Sequence, residues 1–329
     1  MKITVLGAGA FGTALAIHAA GRHRVMLWTR NPRHLAAMRE TRSNHLYLPG
    51  FAFPPGLQLE DDLHVALRQA ELVLVVVPTA GFRHVLREVR ACGCGAPVVW
   101  ACKGLEAYSA KMLYEVAAEE LPPHHSHGAL SGPSFAQELA AGLPTALTLA
   151  SSDDAFARQA AAALHGGHLR VYSGTDVIGV TVGGALKNVI AIAAGISDGM
   201  GYGNNARAAL ITRGLAEITR FGVALGAQAE TLMGLAGAGD LILTCTGDMS
   251  RNRQVGLHLA KGEPLDAILG ALGHVAEGVH TAREVVSRAR KLGIEMPITQ
   301  QVHQVLSEGL PPRSAVENLL NRGQKAEIY

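Results

Sequence analysis

Lys187 is the residue whose surroundings most invite chemistry. It stands in Val180-Thr181-Val182-Gly183-Gly184-Ala185-Leu186-Lys187-Asn188-Val189-Ile190-Ala191, a helical run with almost no polar face. A lysine seldom enters such company unpaired. Desolvation favours the neutral amine and lowers its pKa, towards the range useful for proton transfer near neutrality. Gly183 and Gly184 clear space beside it, and Asn188 is placed to hold the lysine or a substrate. The blander alternative is a buried stem whose ammonium reaches out to water.

Other polar groups fall in suggestive places. Gly234-Leu235-Ala236-Gly237-Ala238-Gly239-Asp240 surrounds one carboxylate with glycines, as a backbone shaped for close approach would. Asp240 could pair with a lysine, hold a substrate hydroxyl, or cap the helix that starts after it. Ser250-Arg251-Asn252-Arg253 opens a further helix. A hydroxyl, a guanidinium and an amide at a helix N-terminus suit a phosphate, because dipole, N–H groups and arginine fork all favour an oxyanion. A plain serine cap beside solvated arginines is the alternative there. Lys103 ends one expected strand, and Ser131-Gly132-Pro133-Ser134-Phe135 follows the next. Ligands of open α/β sheets collect at such carboxyl ends, although each segment alone reads equally well as an ordinary turn.

The N-terminus carries Gly7-Ala8-Gly9-Ala10-Phe11-Gly12 between a strand of Ile3, Val5 and Leu6 and a helix. That is G-x-G-x-x-G in the context a dinucleotide site requires. Gly7 permits the tight turn, Gly9 lets backbone approach a pyrophosphate, and Gly12 lets the helix press on the strand. An NAD-selective site carries Asp or Glu about 20 residues on. Here the second strand ends in Leu27-Trp28-Thr29-Arg30-Asn31 with no carboxylate. Arg30 instead suits a 2′-phosphate, so the expected cofactor is NADP or NAD, with NADP favoured.

These residues need elements to position them. Short β-branched runs at 2–6, 24–29, 57–60, 71–77, 97–102, 127–130 and 145–150 alternate with helical patterns such as 11–20 and 110–120, the signature of parallel βαβ units. Leu72 to Val77 is apolar throughout, as a strand covered on both faces should be. After a last strand-like piece at 167–173 the pattern turns helical, at 177–196, 206–225, 253–261, 276–291 and 298–307. The expectation is an α/β protein divided at residue 174. Residues 1–174 form a Rossmann-like domain with a doubly wound, mostly parallel sheet, and 175–329 an all-α substrate-binding and catalytic domain.

Composition narrows the classes. The chain has 329 residues and only 5% aromatics, so its interior is built from small and aliphatic side chains. Its 38 glycines are well above the usual share of about 7% and suit close helix contacts. Twenty-nine basic and 27 acidic residues give a formal charge of +2, no general reason to bind nucleic acid or anionic membrane. Four cysteines are too few for a disulfide scaffold, which points to a reducing compartment. The stretch 177–197 is long enough to span a bilayer but carries Lys187 and Asn188 mid-run, so it is expected in a core. The glycine-broken segment 1–20 lacks the basic leader of a signal peptide. Neither Cys92-Gly93-Cys94 nor His124-His125-Ser126-His127 has a spaced partner set, so no metal is expected.

Taken together the motifs resemble one family, the bacterial-type NAD(P)-dependent sn-glycerol-3-phosphate dehydrogenases. The resemblance rests on GAGAFGTALA (7–16), CKG (102–104), SGPSFA (131–136), GGALKNVIAIAAGISDGMGYGNNARAALITRGLAE (183–217), GLAGAGDLILTCT (234–246), SRNR (250–253) and AEGVHTA (276–282). It implies cofactor contacts at Gly7, Gly9, Ala10, Phe11, Gly12, Arg30, Gly132, Ala136 and Arg251, and a late one at Val275 and Glu277. It implies a position shared by cofactor and substrate at Lys103, and the proton acceptor at Lys187. Substrate positions follow at Gly132, Ser134, Asn188, Asp240, Ser250, Arg251 and Asn252. Similar proteins often have Ser and Trp where this chain has Ala10 and Phe11. The implied activity is reversible hydride transfer between NAD(P)H and dihydroxyacetone phosphate, with Lys103 steadying charge on the carbonyl oxygen. The implied setting is cytoplasmic, with glycerol 3-phosphate supplied for phospholipid synthesis, while the apolar helical half by itself makes a homodimer the expected assembly. Two competing readings are a related hydroxyacid dehydrogenase acting on a carboxylate, and a non-catalytic sensor of cofactor redox state.

Overall fold

A computed structural model of the chain describes residues 1–273 and 276–324. The N-terminal half carries strands β1 (Lys2–Leu6), β2 (Arg24–Trp28), β3 (Ser43–Asn44), β4 (Leu48–Ala52) and β5 (Leu57–Glu60). Strands β6 (Leu72–Val75), β7 (Val98–Trp100), β8 (His127–Ser131), β9 (Thr145–Ala150) and β10 (Leu169–Gly174) complete it. Between them lie helices α1 (Ala10–Ala20), α2 (Pro32–Thr41), α3 (Leu63–Leu67), α4 (Thr79–Ala91), α5 (Leu113–Glu120), α6 (Ala136–Ala140) and α7 (Asp154–Leu164).

Eight strands form one sheet in the order β10-β9-β8-β7-β6-β1-β2-β5. The six from β8 to β5 are mutually parallel, while β9 pairs antiparallel with β8 and parallel with β10. All four residues of β6 are buried, as its two-sided apolar sequence requires. Strand order reverses between β1 and β6, the switch point where doubly wound sheets open a crevice for ligands. The loops after β1, β6, β7 and β8 all issue from that edge.

The remainder of the described chain is helical. It comprises α8 (Val177–Gly199), α9 (Gly203–Ala224), α10 (Ala229–Met233), a π-helical turn (Leu235–Gly239) and α11 (Asp240–Thr246). Then come α12 (Arg251–Ala260), α13 (Leu265–Leu272), α14 (Glu277–Leu292), α15 (Pro297–Ser307) and α16 (Pro312–Leu320). Helix α8 is the axis, packed by α9, α11, α12, α14 and α15. Every residue from Gly179 to Ser197 is buried, as expected of a helix that is apolar all round. It is long and apolar enough to cross a membrane, yet 89% of its apolar window is buried inside the protein. Helix α12 approaches it backbone to backbone: a Cβ added at Gly256 would lie 2.1 Å from the Ile192 carbonyl oxygen. Overpacking of that kind costs roughly 1–3 kcal/mol, which explains glycine there.

Two features depart from expectation. The β3–β4 hairpin between α2 and β5 was not foreseen, because Pro49 and Gly50 interrupt one strand and the other has two residues. The expected strand at 71–77 stops at Val75, where the chain turns to back the glycine-rich loop: the Val76 carbonyl oxygen lies 2.4 Å from where a Cβ on Gly7 would sit.

Candidate active site

Asp240 is the centre of a buried charge cluster drawn from three elements. The glycines before it let the π-helical turn lie directly on α8, where a Cβ on Gly183 would meet the Ala236 carbonyl oxygen at 2.4 Å. That contact brings the first residue of α11 against the middle of α8. Lys187 donates to Asp240 Oδ1, and to Thr244 Oγ1 at 2.9 Å. Lys103, beyond the end of β7, donates to Asp240 Oδ2 at 2.7 Å, and Ser131 donates to the same oxygen at 3.3 Å. Side-chain exposure is 1% for Asp240, 9% for Lys187 and 17% for Lys103. Of the alternatives for Asp240, the geometry shows lysine pairing.

Two ammonium groups thus share one carboxylate out of contact with most solvent. Burial lowers the Lys187 pKa to about 8; Asp240 opposes this, and the second cation, Lys103, adds to it. Burial pushes the Asp240 carboxyl up, but the two lysines outweigh it and hold the group below its ordinary value. The cluster keeps one excess positive charge, which suits an anion or an oxygen that gains negative charge.

Asn188, next to Lys187 on α8, starts a second chain of contacts. Its Oδ1 accepts from Asn252 Nδ2 at 3.0 Å, and Asn252 Oδ1 accepts from the Gly278 N–H at 3.0 Å. Ser250 caps α12 by accepting from the Arg253 N–H at 3.3 Å, so the cap reading holds while its own proton remains available. Arg253 is committed to Asp198 and Asp248. Arg251, the first residue of α12, is open to solvent with no salt-bridge partner among the described residues. Although the side chain keeps an exposed surface, the protein atoms packed around it lower its pKa by desolvation, against the pull of the Glu277 carboxylate.

The glycine-rich turn faces the same cleft. Gly7 has φ +118°, and its N–H donates to the Trp28 carbonyl at 3.1 Å. A Cβ on Gly12 would lie 2.0 Å from the Gly7 carbonyl oxygen, whereas one on Gly9 would meet nothing within 4 Å. Helix α1, from Ala10, has no side-chain cap, so its first N–H groups remain free for phosphate. Open space at Gly9, free donors, and an exposed Arg30 beyond β2 with no ion-pair partner among the described residues fit a dinucleotide carrying a 2′-phosphate. The Phe11 ring centroid lies 6.0 Å from Lys103 Nζ, which joins this turn to the charge cluster. The Gly132 carbonyl, after β8, accepts from Lys103 at 3.5 Å and from Ser134 at 3.0 Å, and Ala136 begins α6 just beyond. Glu277 accepts from the Thr79 N–H of α4 at 3.0 Å, and burial pushes its carboxyl up. Val275 lies outside the described residues.

Thr244 and Thr79 were missed by sequence reasoning. Thr244 could have been found by spacing, since it lies four residues after Asp240 on α11, on the same face. Thr79 meets Glu277 from 198 residues away, and no local signal marks it.

Two family models match the chain: the N-terminus of NAD-dependent glycerol-3-phosphate dehydrogenase over residues 2–157, and its C-terminus over 176–317. A protein of Methylobacillus flagellatus named glycerol-3-phosphate dehydrogenase [NAD(P)+] is 66% identical over 327 residues, covering 99% of each chain. One of the same name from Nitrosospira multiformis is 59% identical over the full length of both. The crystal structure of glycerol-3-phosphate dehydrogenase from Coxiella burnetii superposes with a TM-score of 0.94 at 43% identity, covering 98% of this chain and 99% of that one.

Proposed function

This chain belongs to the NAD-dependent glycerol-3-phosphate dehydrogenase family, and from that premise we propose how its residues divide the work. The protein is an NAD(P)-dependent oxidoreductase that interconverts dihydroxyacetone phosphate and sn-glycerol 3-phosphate. The observation that carries the division of roles is the buried Lys187–Asp240–Lys103 cluster, set beside a turn built for a dinucleotide. When bound, the nicotinamide would supply the hydride that C2 of the ketone gains, or accept it in the reverse direction.

Lys187 exchanges the proton. In reduction its ammonium gives a proton to the carbonyl oxygen and becomes the neutral amine; in oxidation the neutral amine takes the hydroxyl proton. With a pKa near 8 the ammonium outnumbers the amine by about tenfold at pH 7, and both forms are populated. Asp240 holds the nitrogen and Thr244 fixes its direction. Lys103 steadies the oxygen as charge develops on it. Arg251, Asn252, Ser250 and the first N–H groups of α12 hold the phosphate, while Asn188 keeps Asn252 in place and Gly132 and Ser134 line the opposite wall. That remote grip sets C2 in position for transfer.

Gly7, Gly9, Ala10, Phe11 and Gly12 take the pyrophosphate side of the cofactor and Arg30 its 2′-phosphate. Ala136, Glu277 and Val275 complete the cofactor contacts. Residues 1–174 then form the cofactor domain and 175–329 the substrate domain. The same reading includes a cytoplasmic setting and glycerol 3-phosphate as a phospholipid precursor. It also includes a homodimer.

The direct test follows reduced-cofactor absorbance with dihydroxyacetone phosphate, using NADPH and NADH in turn. Consumption that depends on the ketone supports the reading. A protein that turns over neither cofactor would be a nucleotide-holding scaffold instead.

A further inference from the structure

We propose that Asn44 is a positioning residue for the dinucleotide, which turns one N–H of the glycine-rich loop towards the phosphates from a hairpin outside the main sheet. The proposal rests on the reading that this loop holds the cofactor.

Asn44 has no exposed surface. Its Nδ2 donates to the Ala8 carbonyl oxygen at 2.9 Å and to Thr13 Oγ1 at 2.8 Å. Its Oδ1 accepts from the Tyr47 N–H at 3.1 Å and faces His34 Nε2 at 3.0 Å. The amide orientation follows from chemistry: a carbonyl and a main-chain N–H allow only the arrangement in which nitrogen faces Ala8 and oxygen faces Tyr47. His34 Nε2 must then carry its proton, which leaves Nδ1 to accept from Thr29 Oγ1, 3.5 Å away. All four hydrogen-bonding positions of the amide are thereby used, and the chain of contacts reaches the residue before Arg30.

The consequence for the loop comes from peptide planarity. In a trans peptide the C=O and the following N–H point in opposite directions. Fixing the Ala8 carbonyl on Asn44 turns the Gly9 N–H away from the hairpin, and the missing side chain of Gly9, whose Cβ would meet nothing within 4 Å, leaves room for a ligand beside it. The second bond, to Thr13 in the first turn of α1, ties the other end of the loop to the same amide. The β3–β4 hairpin joins no strand of the eight-stranded sheet, and this contact gives it a function.

Calorimetric titration with NADPH, NADH and ADP-ribose, a probe without nicotinamide, tests the idea on the wild type, Asn44→Ala and Asn44→Asp. The aspartate keeps the size and both acceptor contacts and, when ionised, offers Ala8 no donor but adds a charge, whereas the alanine removes the donor without adding one. Both variants should raise all three Kd values about tenfold. The cofactor KM should rise in step, while kcat at saturating cofactor stays within about twofold. Dinucleotide Kd values within about twofold of wild type, or a fall in kcat with KM unchanged, would overturn the proposal. Where neither variant folds, Thr13→Val removes one anchor of the amide and should raise Kd about threefold; an unchanged Kd there overturns it equally. A wild-type protein that binds neither NADPH nor ADP-ribose would instead defeat the cofactor reading beneath it.

Discussion

The glycine-rich turn and the Asp240 cluster face one cleft but are built by opposite means. The turn works through what is missing: no Cβ at Gly9, no side-chain cap on α1, no carboxylate after β2. Its donors are main-chain groups, which carry no titratable charge for burial to shift. The cluster works through what is present, two ammonium groups and a carboxylate packed among aliphatic side chains. There burial is the active variable, because it brings Lys187 from the ordinary lysine range to about 8. Binding is thus assigned to backbone shape and proton transfer to desolvated charge, so the two should fail differently when altered.

The largest effect should come from the cluster. Lys187→Ala removes the proton donor and should lower kcat by about 10²–10⁴, with cofactor Kd nearly unchanged by calorimetry. An equal loss of cofactor affinity would erase the distinction between the two regions. The wild-type pH profile sharpens it. Reduction needs the ammonium, so its kcat should fall as pH rises through about 8, while oxidation, which needs the neutral amine, should gain over the same interval. A profile flat between pH 6 and pH 10 would remove Lys187 as the group that titrates in turnover.

Arg251→Ala comes next. A charge-assisted hydrogen bond contributes about 1.5–3 kcal/mol, which predicts a rise in KM for dihydroxyacetone phosphate of roughly 10- to 150-fold. Inorganic phosphate should compete with dihydroxyacetone phosphate in the wild type and far less in the variant, and acetate should compete in neither. Alanine substitutions at two glycines then probe the turn. At Gly12 the added methyl meets the Gly7 carbonyl oxygen, so thermal unfolding should show a loss of about 1–3 kcal/mol. At Gly9 it meets no protein atom and the backbone has φ −75°, so Tm should hold while dinucleotide Kd rises about tenfold, some 1.4 kcal/mol. A Gly9→Ala protein that binds as tightly as wild type would place the pyrophosphate elsewhere.

The two regions also differ in how far they can be read from sequence. The turn is contiguous, so Gly7, Gly9 and Gly12 declare themselves by spacing, and the absence of a carboxylate after β2 is visible by counting. Lys187 is visible for another reason, since an ammonium in an apolar run violates the pattern around it. Its pairing with Asp240 was one of several open choices, because the chain between them, across a separation of 53 positions, folds back through a π-helical turn that no periodicity reports. Asn44 gave no signal at all. It sits in a two-residue strand beside Pro49 and Gly50, too short for alternation, and its partners Ala8 and Thr13 lie in another motif. What stayed hidden is the contact between distant segments, where identity is decided by the partner and not by the neighbours in the chain.

The smallest expected effect tests the edge of the turn, where a side chain supplements the backbone. Arg30 is exposed, with no ion-pair partner among the described residues, so its attraction for a 2′-phosphate acts partly through water. Contacts of that kind are worth about 0.2–1 kcal/mol, which makes Arg30→Gln a change of roughly 1.4- to fivefold in the ratio of NADPH to NADH specificity. Arg30→Asp should move the ratio further, since it adds repulsion to the phosphate and an acceptor for a free 2′-hydroxyl. Salt provides the control. The Debye length falls from about 30 Å at 0.01 M to about 8 Å at 0.15 M, so the NADPH advantage should shrink with ionic strength in the wild type and not in Arg30→Gln. Identical salt responses in the two proteins would mean that cofactor choice is settled by the buried part of the turn, and that the backbone discriminates as well as binds.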